Sequence, residues 1–327
     1  MNKSNKKILI TGGAGYIGSH IVTLLGKNNY DFVVLDNLST GRKDSVLFGE
    51  LVVGSLEDHD FVDQLMKKYS FDAVIHFAGS IIVPESVTDP IKYYKNNTEN
   101  SLNLISLCLK NKINKFIFSS TAAVYGYPEG GIATEESLKN PINPYGRSKL
   151  MTEWMLEDVS NAHDFNYVAL RYFNVAGANV EGLVGQCSKT STHLLKIASE
   201  TALGKRTSMS VFGTDYETRD GTCIRDYIHA DDLAQAHLDA LTYLQNGGKS
   251  EILNCGYGEG FTVNEVITRV KKITGVDFKV EHSPRRAGDP GILMSKADKI
   301  KKVLGFKPKY NDLDLIIKTA VDWEKKL

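Results

Sequence analysis

"ILITGGAGYIGSH", running from Ile8 to His20, decides how the rest of the chain is read. A short apolar run leads straight into glycines, and a helical apolar pattern starts at Tyr16. Gly12, Gly15 and Gly18 set a Gly-x-x-Gly-x-x-Gly spacing across that strand-to-helix turn. In such a turn one glycine makes the tight bend, one lets a pyrophosphate approach the backbone, and one lets helix and strand pack closely. The helix N-terminus adds N–H donors and partial positive charge. A glycine trio alone also fits a plain turn. Here the strand–turn–helix context is present, and Asp36 closes the second apolar run eighteen residues beyond Gly18. An acid there accepts from adenosine ribose hydroxyls and repels a 2′-phosphate. The pattern predicts a dinucleotide site that takes NAD, on Gly12, Gly15, Tyr16, Ile17, Gly18, Asp36 and Asn37. Arg42 and Lys43, just past the acid, pull toward NADP.

Outward from this loop, strand and helix patterns alternate. β-rich runs follow at "FVVLD", "LVVG", "AVIHFAG", "KFIFSS" and "YVALRYFN". Amphipathic segments 16–27, 58–69, 96–110 and 145–159 lie between most of them. Apolar strands alternating with helices predict an α/β fold, a Rossmann-type doubly wound parallel sheet. After Asn174 the pattern changes: "VAGANVEGLVGQCSKTST" reads as loop, followed by a helix near 193–203. "DYIHADDLAQAHLDALTYL" returns to strand then helix, and "EILNCG" reads as one more core strand. The expected division is a dinucleotide-binding domain over 1–175, with 226–256 returning to it. Residues 176–225 and 257–327 would form a smaller C-terminal α/β substrate-binding domain over the carboxyl edge of the sheet.

The chain has 327 residues, with 39 Lys and Arg against 39 Asp and Glu. Zero formal net charge argues against nucleic acid or an anionic membrane as the main partner. Cys108, Cys187, Cys223 and Cys255 lie far apart with no Cys-x-x-Cys. They read as unpaired thiols of a reducing compartment, and no metal site is expected. "MNKSNKKILITGG" has an apolar run that ends after Ile8, Leu9 and Ile10, at Thr11 and the glycines, so no leader is expected. No segment is long enough to span a membrane. Together these point to the cytoplasm.

"YGRSK" places Tyr145 and Lys149 four residues apart. Asn143 suits an N-cap and Pro144 the first helical position, so the two side chains would share one helix face. A free phenol, with a pKa near 10, is a poor base at neutral pH. Cationic Lys149 and an oxidised nicotinamide would both favour phenolate; a shift of ~3 units needs about 4 kcal/mol. "FSSTAAVYG" offers Thr121 to hold the same substrate hydroxyl. The three residues together suit alcohol oxidation. Tyr145 takes the proton, NAD takes the hydride, and Lys149 tunes the base and holds the ribose.

With these residues in place, the chain resembles the UDP-glucose 4-epimerases of the extended short-chain dehydrogenase/reductase family. The likeness runs in order through "TGGAGYIGSH", "LDNLSTG", "HFAG", "ESV", "NN", "FSSTAAVYG", "PYGRSKLM" and "LRYFN". It continues through "FGTDYETRDGTCIRDYIHADDLA" to "PRRAGD". The resemblance implies that Phe77, Ala78, Gly79, Asn96, Ser119 and Tyr172 line the cofactor. It implies that Asn174, His193, Leu194, Phe212, Arg225, Arg286 and Asp289 contact a nucleotide sugar. Guanidinium forks match phosphate oxygens, so Arg225 and Arg286 suit a diphosphate clamp. The implied reaction is NAD-dependent interconversion of UDP-glucose and UDP-galactose through a 4-keto sugar, in a homodimer packed through helices near 96–110 and 145–159.

Some positions depart from the family. Ile81 stands where many relatives have lysine, and Ser55 where an aspartate often meets adenine. His193 replaces a common asparagine. Leu293 stands at the sugar wall, where strict enzymes often carry tyrosine. This leaves open a 4-epimerase acting mainly on N-acetylated or pentose UDP-sugars. A related 4,6-dehydratase would need an acid–base couple after Thr121, and Ala122 and Ala123 cannot transfer protons. A reading of another class is a non-catalytic NAD-sensing regulator on the same fold.

Overall fold

A computed structural model describes residues 6–188, 192–286 and 289–327. Seven strands form the main sheet: β1 (Ile8–Thr11), β2 (Phe32–Asp36), β3 (Glu50–Val53), β4 (Ala73–His76), β5 (Lys115–Ser119), β6 (Asn166–Tyr172) and β7 (Glu251–Cys255). Their order is β7-β6-β5-β4-β1-β2-β3, and every pairing is parallel. Every residue of β1, β2 and β4 is buried, as a sheet covered on both faces requires.

Side-chain alternation splits these strands between two cores. Ile8, Ile10, Val34, Ile75 and Ile117 pack with Ile21, Val22 and Leu25 of the helix Tyr16–Lys27 and with the helix Ala230–Gln245. Leu9, Val33, Val74 and Phe116 pack on the other face with helices His59–Tyr69, Asn100–Lys110 and Pro144–Ala162. The fold is therefore the doubly wound α/β sheet that the alternating pattern predicts. β1 has β2 on one side and β4 on the other, so the winding reverses there. The loops after β1 and β4 open the crevice where such sheets bind ligands.

Helix ends follow local chemistry. Asp58 accepts from Phe61 N at 3.0 Å, and Asn143 accepts from Gly146 N at 2.8 Å, with Pro144 at the first helical position. The expected helix over 96–110 differs in its first turn. Residues Tyr94–Glu99 are π-helical, and the α-helix proper is Asn100–Lys110. The widened turn puts two successive asparagines against one serine: Asn96 Nδ2 donates to Ser80 Oγ at 2.9 Å, and Asn97 Oδ1 accepts from Ser80 N at 2.7 Å. Such π-turns recur at functional sites.

A smaller sheet is built around Ile224–His229. That strand pairs with Gly260–Thr262, Ile292–Ser295 and Asn174–Ala176, and Ile132–Ala133 adds to Ile292–Ser295. Met209–Phe212 pairs separately with Val280–Ser283. Helices Leu194–Ala202, Val263–Thr274 and Leu313–Glu324 close a third core beside them. Beyond His229 the chain returns to the large sheet as Ala230–Gln245 and then β7.

Candidate active site

The glycine loop is shaped by what it must approach. Gly12 has φ +73°, and a Cβ there would lie 2.5 Å from Ala78 N. A Cβ on Gly18 would lie 2.3 Å from Gly12 O, so this glycine lets the helix sit against the loop. A Cβ on Gly15 would touch only Gly12 O, at 3.3 Å. Gly15 starts the helix Tyr16–Lys27 with no side-chain cap and no acid in its first turn, leaving a helix N-terminus suited to an anion. Asp36 closes β2; its Oδ2 accepts from Ala14 N at 2.9 Å and its Oδ1 from Leu38 N at 2.8 Å. A carboxylate has further lone pairs, so each oxygen keeps acceptor capacity toward the crevice. This cradle, uncapped helix start and strand-end acid fit NAD.

Tyr145 and Lys149 sit one turn apart on the helix Pro144–Ala162 and are 7% and 3% exposed. Lys149 Nζ donates to Ser119 O at 3.0 Å and lies 4.9 Å from the centre of the Phe118 ring. Burial pushes Lys149 down to about 8, with Glu153 opposing that shift. Burial raises the Tyr145 phenol; a hydrogen bond with Thr121 acts the other way and is the smaller effect. The lowered phenol pKa anticipated from sequence is thus absent from the protein's own groups, because desolvation outweighs them. Thr121, at the end of β5, also accepts from Ala123 N at 3.1 Å. The hydroxyls of Ser119 and Tyr172 share a short hydrogen bond.

One cavity of about 1350 Å³ joins all of these residues. Every candidate residue named from sequence borders it, from Gly12, Tyr16, Ile17 and Asn37 through Phe77, Ala78, Gly79 and Asn96 to Asn174, Leu194 and Asp289. Ser55 and Ile81 border it too. The Arg286 guanidinium lies 3.8 Å from the centre of the Phe212 ring. Arg225 Nη1 donates to Ile224 O at 2.9 Å, and its Nη2 stands 4.0 Å from Asp289 Oδ1. His193 begins the helix Leu194–Ala202, and burial lowers its pKa. Leu293 borders the cavity, while Ile292 turns toward Gly131 and Met294 toward Gly260, as strand alternation requires.

Residues 8–256 match the model of the NAD dependent epimerase/dehydratase family. A UDP-glucose 4-epimerase of Azospirillum brasilense is 49% identical over 325 residues, 99% of this chain and 93% of that protein. The UDP-glucose 4-epimerase from Brucella ovis, solved with NAD, superposes with TM-score 0.94 at 44% identity, covering 97% of this chain and 98% of that one. The UDP-Glc/GlcNAc 4-epimerase from Campylobacter jejuni gives TM-score 0.86 at 52% identity over 98% and 100% of the two chains.

The chain belongs to the NAD dependent epimerase/dehydratase family. Within that family it lacks side-chain acid or base function directly after Thr121, where Ala122 and Ala123 border the cavity. Among the described residues no helix is long and apolar enough to cross a membrane, and no group of His, Cys, Asp or Glu is placed to hold a metal.

Sequence reasoning missed several residues around this family site. The Tyr93 ring meets Tyr145 edge-on with centroids 6.4 Å apart. Its hydroxyl donates to Ile82 O at 2.6 Å and lies 2.9 Å from Glu85 Oε2, tying segment 82–93 to the tyrosine. Asn97, 1% exposed, braces Ser80 and also donates to Ser148 Oγ at 3.1 Å. The "NN" pair was the available signal; which asparagine faces inward depends on the π-turn. The Glu153–Arg171 ion pair behind Lys149 had no sequence signal at all.

Proposed function

We propose that the protein interconverts UDP-glucose and UDP-galactose, with Tyr145 as the acid–base group and Lys149 tuning it. The observation that carries this reading is one cavity lined together by the glycine cradle, by Arg225 and Arg286, and by Tyr145, Lys149 and Thr121. When bound, NAD supplies reversible hydride acceptance at C4 of the sugar. The glycine-loop backbone and helix N-terminus hold its pyrophosphate, and Asp36 and Asn37 hold the adenosine ribose. Phe77, Ala78, Gly79, Asn96, Ser119 and Tyr172 form the walls around it.

Thr121 donates its hydroxyl hydrogen to the C4 oxygen and so leaves the C4 hydroxyl proton facing Tyr145. Tyr145 removes that proton as C4 becomes a ketone, then returns it to the C4 oxygen after the 4-keto sugar has turned over. No net redox change results. Arg225 and Arg286 hold the diphosphate by charge-assisted hydrogen bonds. Asn174, His193, Leu194, Phe212 and Asp289 hold the rest of the nucleotide. Residues 1–175 with 230–256 serve mainly the cofactor. The strand Ile224–His229, expected to belong with the large sheet from 226 on, centres the smaller sheet instead and goes with the segments that serve the nucleotide sugar.

We also propose a homodimer through the faces of helices Asn100–Lys110 and Pro144–Ala162. Half-exposed Leu102 and Trp154 on those helices support it, as apolar side chains that an interface would cover. Four free cysteines suit the reducing cytoplasm. Relatives named UDP-glucose 4-epimerase do not favour a pentose specialist or a non-catalytic NAD sensor. The Campylobacter jejuni structure, named for both plain and N-acetylated sugars, and Leu293 at the wall favour a slower secondary activity on UDP-N-acetylglucosamine. The test is incubation with UDP-galactose followed by assay for UDP-glucose. Protein that carries NAD and gives no product overturns the reading.

A further inference from the structure

A buried ion pair stands behind the catalytic face and takes no part in the steps above. Glu153 lies one helical turn beyond Lys149 and is 1% exposed; Arg171, which precedes Tyr172, is 2% exposed. Arg171 Nε donates to Glu153 Oε1 at 2.9 Å, and Nη2 donates to Oε2 at 2.5 Å. Ser120 Oγ donates to the same Oε1 at 2.5 Å. Arg171 Nη1 donates to the Tyr125 hydroxyl at 2.9 Å, which donates to Asn254 Oδ1 at 2.6 Å. Asn254 Nδ2 ends the chain on Ala133 O at 2.9 Å.

The placement follows from backbone geometry. Successive strand residues face opposite ways. Ser119 and Thr121 border the cavity while Ser120 points to the pair; Tyr172 borders it while Arg171 points away. Lys149 borders it while Glu153, further along the helix, does not. One network therefore grips the backs of two strand segments whose fronts carry the site, and the same face of the helix one turn beyond Lys149. Stability alone is a weak reason for such a pair, since apolar residues of similar volume often serve as well. Lys149 is faced by Glu153 from its own helix and by His76 from β4; it bonds the Ser119 carbonyl, while the Ser119 hydroxyl bonds Tyr172, which in turn faces Tyr145. Glu153 is faced by Arg171, Tyr125 and Tyr167, with Glu135 and Glu157 beside them.

We propose that the Glu153–Arg171 pair is the positioning unit of this site. It fixes the helix of Tyr145 and Lys149 against Ser119, Thr121 and Tyr172, and its balanced charges set the pH range in which the two groups work. This rests on the epimerase reading above.

The experiment records kcat and KM against pH for UDP-galactose in wild type, Glu153→Gln, Arg171→Gln and the double variant. Glu153→Gln leaves an uncompensated cation, which disfavours the protonated form of every nearby group. Both limbs of its profile are expected to move to lower pH by on the order of one unit. Arg171→Gln leaves an anion, and both limbs are expected to move up by a similar amount. The double variant restores neutrality, so its limbs return to the wild-type positions. Its kcat is expected about tenfold lower with KM little changed, because the grip on the helix is lost. If the single variants do not fold, the double variant and Arg171→Lys carry the test. Arg171→Lys keeps the charge, hence the limbs, and loses rate because an ammonium lacks the fork. Limbs that stay put in the single variants, or move the same way in both, overturn the proposal. So does a double variant or Arg171→Lys with wild-type kcat, since a merely structural pair would lower the melting temperature alone. Wild type that fails to turn over UDP-galactose refutes the epimerase reading itself, and the pair's role falls with it.

Discussion

Replacing Lys149 with methionine separates what the fold needs from what the reaction needs. Methionine is unbranched and of similar length, and it carries no charge. Burial pushes Lys149 from 10.5 to about 8, so the folded protein holds this ammonium at a cost at neutral pH. Two and a half units correspond to about 3 kcal/mol. Methionine also forfeits the hydrogen bond from Nζ to Ser119 O, worth ~1–2 kcal/mol net. The balance favours the variant by ~1–2 kcal/mol near neutral pH, a rise in melting temperature of about 1–3 °C for a chain of this length. The sign with pH follows from the depressed folded value. The wild type pays the full penalty below pH about 8 and recovers it as pH rises toward the free-chain 10.5, so the variant's advantage shrinks over that window. The assay is thermal unfolding of NAD-free protein at neutral and at alkaline pH, alongside epimerisation rate. The rate is expected to fall by ~100-fold or more, because the tyrosine loses the cation that favours phenolate. A variant that melts lower than wild type at neutral pH would refute the reasoning. So would an advantage that does not change with pH.

Tyr145→Phe keeps the ring packed and is expected to fold, retain NAD and lose about 10²–10⁴ in turnover; near-wild-type turnover would remove Tyr145 as the proton carrier. Purified protein is expected to release NAD and little NADP on denaturation, because Asp36 faces the ribose site and Arg42 is occupied by Asp44, Nε to Oδ1, at 2.8 Å. Dominant NADP in the extract would show that the basic pair outweighs the acid. Gly18→Ala is expected to lose bound NAD, since the new Cβ would lie 2.3 Å from Gly12 O and must push the loop open; retained cofactor would count against the close-packing role. Leu293→Tyr is expected to suppress turnover of UDP-N-acetylglucosamine more than UDP-glucose, by ~1–3 kcal/mol in apparent selectivity. Equal losses on both substrates would show that this position is not the gate.

Much of this was legible in the sequence because the physics is local. Strands buried on both faces must be apolar throughout, so β1, β2 and β4 stand out as runs. Asn143 and Pro144 mark a helix start because a helical apolar pattern follows them directly, which Asn140 and Pro141 lack. The i, i+4 spacing of Tyr145 and Lys149 is fixed by the helix they begin. What escaped depends on distant partners. The π-turn at Tyr94–Glu99 answers to Ser80, a residue in another loop. The two-residue strand Ile132–Ala133 exists only because Ile292–Ser295 lies beside it. Glu153 carries no signal of its own, since nothing in its segment announces Arg171. The burial that raises the Tyr145 phenol escaped for the same reason: charge is visible in sequence, and the depth of burial is not.

The distribution of polar groups along the cavity bears on how one site can serve two epimers. In the proposed reaction the 4-keto sugar must present first one face and then the other to the same tyrosine. Tight, directional bonds to the hexose would favour one orientation and slow the return, so binding energy is better placed where it does not change between the two states. Asp36, the glycine loop, Arg225 and Arg286, all lining the cavity, have that character. The walls also include Ala122, Ala123, Phe173 and Leu293, with Thr121 and Tyr145 supplying polar contact. Apolar walls confine a rotating ring by shape and give it few bonds to break. The alanines after Thr121, which remove the acid–base chemistry of a dehydratase, thus have a second consequence: they leave the turning sugar without a competing proton donor.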